Sequence, residues 1–236
     1  MGCSTMALLY PKIVAMALIT FEGAEGCGKT TQVKRLTARL GKWGVAAAVF
    51  REPGGTAIGE AIRHLLQHSE ENQAIMPKTE LLLFEASRSQ LVREELQPAL
   101  QRGEWVICDR FFDSTTVYQG VARHLDPAPV KKLNAFAIGD SIPDLTFVLD
   151  IDRATAQSRL GNRKKIRDRM EEESDEFHQR VIRAYRELAK NEPKRVILID
   201  GRLSVDATEQ QIWNELAQHF PDFGKHQTPN IKLQTS

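Results

Sequence analysis

The chain has 236 residues, of which 42% are hydrophobic and 27% charged, and a formal net charge of +1. This length allows one domain, or one domain with a small insertion, and a substantial buried core. The near-neutral balance excludes a nucleic-acid or membrane partner held by bulk charge, so any basic site must be local.

Residues 1–12 read as an extension ahead of the first strand. The opening Met-Gly-Cys-Ser-Thr-Met is close to an acylation signal, but Met6 stands where Ser or Thr is wanted. No apolar run reaches the length of a membrane span. Residues 13–21 form an apolar strand that runs into Gly23-Ala24-Glu25-Gly26-Cys27-Gly28-Lys29-Thr30. The pattern G-x-x-x-x-G-K-T between a strand and a helix predicts a phosphate cradle. Its glycines let successive N–H groups turn inward, and the next helix, expected over 30–42, adds its positive end. Lys29 then supplies a point charge for the β- and γ-phosphates of a nucleoside triphosphate, and Thr30 a hydroxyl for Mg²⁺.

Further strands are expected at 45–50, 105–108, 145–151 and 195–199. Helices are expected at 58–67, 79–101, 129–139, 153–160, 171–191 and 205–220. Continuous apolar strands separated by helices predict a five-stranded parallel sheet covered on both faces. Ligands of such a sheet gather at the carboxyl ends of its strands. The third strand ends at Asp109-Arg110, where a carboxylate suits an indirect Mg²⁺ contact, although a helix N-cap is the bland alternative. Arg110 beside it is costly to bury without an anion. The tail over 221–236 is polar and aperiodic, and is expected to fray. Cys3, Cys27 and Cys108 form no close pair and no metal-ligand spacing with histidine, which fits a reducing cytoplasm.

Several separated motifs occur in one order: GAEGCGKTT (residues 23–31), REPGGT (51–56), LLLFEASR (81–88), DRFFDSTTVYQG (109–120) and a basic segment leading to Asp168-Arg169-Met170-Glu171. In this set the chain closely resembles the thymidylate kinases, over about residues 13–220. The pattern is similar to the bacterial branch, in which Gly26 fills a loop position held by Arg elsewhere and the catalytic cation sits in a lid. The resemblance implies a single P-loop nucleotide kinase domain with a short basic lid at about 159–170, rich in Arg159, Arg163, Lys164, Lys165 and Arg167. It implies transfer of the γ-phosphate of ATP to dTMP, with Mg²⁺ as cofactor, in a cytoplasmic homodimer that serves dTTP biosynthesis. Neither nucleic acid nor membrane is an expected partner.

The resemblance also distributes roles. Gly23 to Thr31, including Ala24, Glu25, Cys27, Gly28 and Thr31, would hold ATP, and Thr30 with Asp109 the metal. Lys29, Arg110, Arg163, Lys164 and Arg167 would carry the catalytic charge. Phe84 and Arg88, four apart on one helix face, would stack on the thymine and bond a base carbonyl. Core packing remains open for Phe84, which follows three leucines. Arg110 would hold the dTMP phosphate with help from Arg63, which as a bare helix residue reads equally as solvated. Thr115 and Gln119 would read the base, and Glu25 and Glu52 would face the sugar or the acceptor side. Tyr118 is divided between sugar packing and core, and Arg51 between a phosphate and its own turn. No N-K-x-D guanine-reading segment supports a nucleotide switch instead.

Overall fold

The computed structural model describes residues 16–161 and 169–221. Five strands form one parallel sheet in the order β2-β3-β1-β4-β5. They are β1 Leu18–Glu22, β2 Ala47–Arg51, β3 Trp105–Asp109, β4 Leu145–Asp150 and β5 Val196–Asp200. The expected parallel sheet is therefore present. The part of the first expected strand over 13–15 lies outside the described residues, and β1 runs one residue further than expected, to Glu22.

β1 alternates between two cores, as the two-residue strand period requires. Ile19 and Phe21 point to the face covered by α1 (Lys29–Lys42) and α9 (Val205–His219), among Leu36, Leu40, Trp213 and Leu216. Leu18 points to the other face, with Leu96, Ala99 and Ile138. Thr20 lies on that second face too, and it carries a polar chain. Thr20 Oγ1 meets Thr146 Oγ1 at 2.7 Å, Thr146 Oγ1 lies 3.2 Å from Asp113 Oδ2, and Arg195 closes bidentately on Asp113 at 2.7 and 2.9 Å. These groups are buried together because each supplies the hydrogen bond that water would otherwise make.

α2 (Ala57–Gln67) starts where the Thr56 side chain accepts from the Gly59 amide. A 3₁₀ turn, Glu70–Ala74, links it to α3 (Pro77–Leu91). The expected helix over 79–101 starts two residues earlier, with Pro77 in its first turn, where a missing N–H costs nothing. It is also not uniform. A π turn at Val92–Leu96 separates α3 from α4 (Gln97–Gln101). Pro98 accounts for the widening, since a regular helix would drive its ring into the carbonyl four residues back.

Residues 112–122 hold helix that the sequence reading did not anticipate, α5 (Phe112–Thr115) and a π segment over Thr116–Ala122. Consecutive Thr115, Thr116 and Val117 argue locally for strand; packing against the later helix α8 (Asp175–Asn191) overrides them, through Val117, Tyr118 and Ala122 against Phe177, Val181 and Tyr185. α6 (Pro127–Ile138) opens on Asp126, whose carboxylate caps the Ala128 amide. α7 (Arg153–Gly161) ends at the edge of the undescribed segment, which contains Arg163, Lys164, Lys165 and Arg167. α8 runs over Asp175–Asn191 rather than from 171, because the Ser174 side chain caps the Phe177 amide there. The turn before it, at 169–173, is thereby left free to reach the pocket described next.

Candidate active site

The carboxyl ends of β1, β2 and β3 open into one pocket. The loop after β1 needs glycine at two points. Gly23 has φ +132°, and a Cβ there would stand 2.6 Å from the Leu149 carbonyl oxygen; Gly28 caps α1 at φ +101°. No side-chain hydrogen bond caps this helix, and its first turn lines the pocket. Lys29 folds over the loop and donates to the carbonyls of Gly23 and Ala24, both at 3.0 Å. Glu25, Gly26, Gly28, Lys29, Thr30 and Thr31 line the pocket, whereas Gly23, Ala24 and Cys27 form its backing. Thr30 Oγ1 donates to Asp109 Oδ2 at 2.5 Å, which brings together two hard oxygens, one from the first turn of α1 and one from the end of β3. That donor set fits a Mg²⁺ ion, which takes one or two protein oxygens and leaves its other positions to phosphate and water. Among the described residues no cluster of three or more His, Cys, Asp or Glu could hold a metal by itself.

Arg110 sits at φ +73°, in the left-handed region that a non-glycine residue rarely adopts. Its amide bonds the Phe21 carbonyl at 2.9 Å, tying it to β1. The guanidinium is clamped by Glu25 Oε1 at 2.8 Å, the Gly23 carbonyl at 3.1 Å and Ser114 Oγ at 3.1 Å. It also lies over the Tyr118 ring at 5.1 Å. Burial pushes the Glu25 carboxyl up, but Arg110, Lys29 and the Tyr118 hydroxyl pull harder, so it ends below the usual carboxylate range. Glu25 is thus held as an anion that fixes the Arg110 fork.

Behind Arg110 lies Glu22, fully buried at the end of β1. It accepts from the Phe111 amide at 2.8 Å, Ser114 Oγ at 2.6 Å and the Tyr185 hydroxyl at 2.7 Å. Burial pushes its carboxyl above the usual carboxylate range, despite the opposing pull of Arg110 nearby.

The REPGGT turn faces α3. Glu52, Pro53 and Arg63 line the pocket, and Arg63 donates to the Pro53 carbonyl at 2.9 Å. Arg51 makes a fork to Glu60 at 2.8 and 3.0 Å and also lines the pocket. Phe84 presents its side chain to the pocket, so it is not purely core. Arg88 differs from the expectation. It is 1% exposed and does not line the pocket. Its guanidinium donates to Glu52 (2.8 Å), Glu85 (2.9 Å), Asn134 (3.2 Å) and the Phe111 carbonyl (3.3 Å), with a second ion-pair contact to Glu52 at 2.7 Å. Arg88 thus supports the floor of the pocket through its bonds to Glu52, Glu85 and Asn134. Burial pushes the Glu52 carboxyl up to about 7, against the pull of Arg88.

Thr115, Tyr118 and Gln119 line the opposite wall, and Thr115 Oγ1 is buried without a hydrogen-bond partner among the described residues. The pocket further contains Ser114, Gln67, Met170 and Glu171, which the sequence reading did not assign to it. Ser114 and the pair Met170-Glu171 lay inside quoted motifs and were within reach; Gln67 and the supporting Glu22 and Tyr185 carried no local signal. Arg163, Lys164 and Arg167 lie outside the described residues.

A family model described as thymidylate kinase matches residues 21–212. A thymidylate kinase of Geobacter sulfurreducens is 46% identical over 208 residues, covering 86% of this chain and 97% of the relative. One of Caldanaerobacter subterraneus is 47% identical over 202 residues, covering 86% and 95%. The crystal structure of thymidylate kinase from Ehrlichia chaffeensis superposes with a TM-score of 0.69 at 33% identity, covering 86% of this chain and 98% of that one. The chain belongs to the thymidylate kinase family, and is a phosphotransferase with the nucleoside monophosphate kinase fold.

Proposed function

We propose that this chain transfers the γ-phosphate of ATP to dTMP, giving ADP and dTDP, as a step in the supply of dTTP. Family membership supports the reaction. The observation that carries the assignment of residues is that the Lys29 cradle, the clamped Arg110 fork and the Phe84 ring all face one pocket. The α1 amides and Lys29 would hold the donor phosphates. Lys29 would exchange the loop carbonyls for phosphate oxygens, a change of partner for the same three donors. Arg110, held in place by Glu25 and Ser114, presents a planar fork suited to the acceptor phosphate. That phosphate is itself the nucleophile and is ionised at neutral pH, so no strong base is required.

Thr30 and Asp109 would hold Mg²⁺, which when bound neutralises charge on the donor phosphates. Phe84 offers a stacking face, while Thr115 and Gln119 provide the polar edge of the base site. Arg163, Lys164 and Arg167 would bring positive charge to the γ-phosphate, with Arg159 and Lys165 as neighbours; this part rests on the sequence motif. Assembly as a homodimer and a cytoplasmic location rest on the family resemblance. Among the described residues no helix is long and apolar enough to cross a membrane.

A coupled ADP-release assay against dTMP, dUMP, dCMP and dGMP tests the reading. The expected result is turnover that depends on the acceptor, with the highest kcat/KM for dTMP. Preference for dCMP or dGMP would overturn it.

A further inference from the structure

On α3, Glu80 and Phe84 are one helical turn apart and share one face of the helix, and Phe84 lines the pocket. Glu80 is fully buried. Its Oε1 accepts from Gln119 Nε2 at 2.7 Å and from Arg123 Nε at 3.2 Å. Its Oε2 accepts from Arg123 at 3.2 Å and from Arg169. A carboxylate between two guanidinium groups can only accept hydrogen bonds. Gln119 must therefore turn its NH₂ group toward Glu80, whatever the usual ambiguity of an amide. That leaves the Gln119 carbonyl oxygen as the amide's remaining polar atom, in a side chain that is 1% exposed and lines the pocket.

We propose that Glu80 is a specificity-determining positioning residue, which fixes the polarity of the Gln119 amide so that the base site presents a hydrogen-bond acceptor beside Phe84. An acceptor at this position pairs with the ring N–H of thymine or uracil. It opposes the unprotonated ring nitrogen that cytosine carries at the corresponding place, leaving two acceptors face to face in a dry pocket. Arg123 and Arg169 take part indirectly, by helping to hold the Glu80 carboxylate in place. The inference deepens the dTMP kinase reading and rests on it.

The test compares kcat/KM for dTMP and dCMP in the wild-type enzyme, Glu80→Gln, Gln119→Leu and the double variant. A glutamine at position 80 has nearly the same shape but can donate as well as accept, so Gln119 is released to flip. The ratio of the two kcat/KM values is independent of how much enzyme is folded, and a purely structural role would leave it unchanged. The expected result is that Glu80→Gln lowers the dTMP-to-dCMP ratio by about tenfold or more. Gln119→Leu should lower it as well, and adding Glu80→Gln to that variant should change it no further. Arg123→Ala, which loosens the cluster but keeps the Glu80–Gln119 bond, should reduce thermal stability and largely keep the ratio.

If Glu80→Gln depresses both substrates equally, Glu80 is only an anchor and the proposal fails. It fails too if Glu80→Gln lowers the ratio just as much when Gln119 is already Leu. Should Glu80→Gln not fold, Glu80→Asp keeps the charge but withdraws the carboxylate from Gln119, and an unchanged ratio there is equally fatal. Wild-type enzyme that does not prefer dTMP would instead sink the reaction assigned above, which separates the two failures.

Discussion

Arg88 Nε donates to Glu52 Oε2 at 2.8 Å, joining the last turn of α3 to the residue just after β2. The two residues are 36 apart in sequence, and their side chains are only 1% and 3% exposed. Glu85 and Asn134 complete the guanidinium's partners, so the base of the pocket is a closed polar network.

Arg88→Ala is accordingly expected to act first on stability. It leaves Glu52 and Glu85 buried without their cation, a change that costs about 3–5 kcal/mol. Chemical denaturation of the variant measures that loss. Acceptor selectivity in the fraction that remains folded should change less than in Gln119→Leu. A variant of normal stability that specifically loses dTMP would show instead that Arg88 leaves Glu52 to meet the base.

Glu52 makes stability depend on pH. Its folded pKa is pushed up to about 7 from an ordinary carboxyl value of 4.5, because burial outweighs Arg88. Between those values the folded state binds more protons than the unfolded state, so the stability due to Glu52 is present below about pH 4.5 and falls as pH rises through 7. Glu52→Gln removes that dependence. Unfolding free energies at pH 5 and pH 8 should show wild type losing ground to the variant at the higher pH, by an amount on the order of 1–3 kcal/mol. Parallel curves would refute the raised value.

Lys29→Met removes the cation of the phosphate cradle. The loss of a preorganised charge of this kind is expected to lower kcat by about 10²–10³ or more. The fold should hold, since the backbone of α1 and the positive-φ glycines are untouched. A folded Met variant with near-normal turnover would mean that the donor lies elsewhere.

Tyr185→Phe tests the support behind Arg110. The hydroxyl donates to Glu22 at 2.7 Å and is also 3.3 Å from Arg110. Without it, a buried carboxylate loses a donor, which costs about 1–3 kcal/mol of stability. Calorimetry should show a lower Tm, together with a modest rise in KM for the monophosphate. If neither quantity moves, the Glu22–Tyr185 bond is not holding the acceptor arginine.

Much of the pocket was legible because its signals are local. The G-x-x-x-x-G-K-T spacing, the polar pair Asp109-Arg110 after an apolar strand, and the i,i+4 relation of Phe84 and Arg88 each depend on residues within one turn or loop. The parallel sheet followed from apolar runs alternating with helices. The helix over 112–122 was hidden, because its β-branched residues prefer strand until α8 packs against them. Arg88 shows the limit most clearly. Its burial demanded an acceptor, but sequence could not say whether that acceptor is a ligand or a carboxylate. The order β2-β3-β1 and the contact of α3 with the loop after β2 decide that, by bringing Glu52 within 2.8 Å. Glu22 and Tyr185, 163 residues apart, meet for the same reason. Sequence alone determined which side chains need partners, because that depends on their own chemistry and on local burial. Only the tertiary structure decided which partners they have, because long-range contacts are set by strand order and helix packing, and these leave no period in the chain.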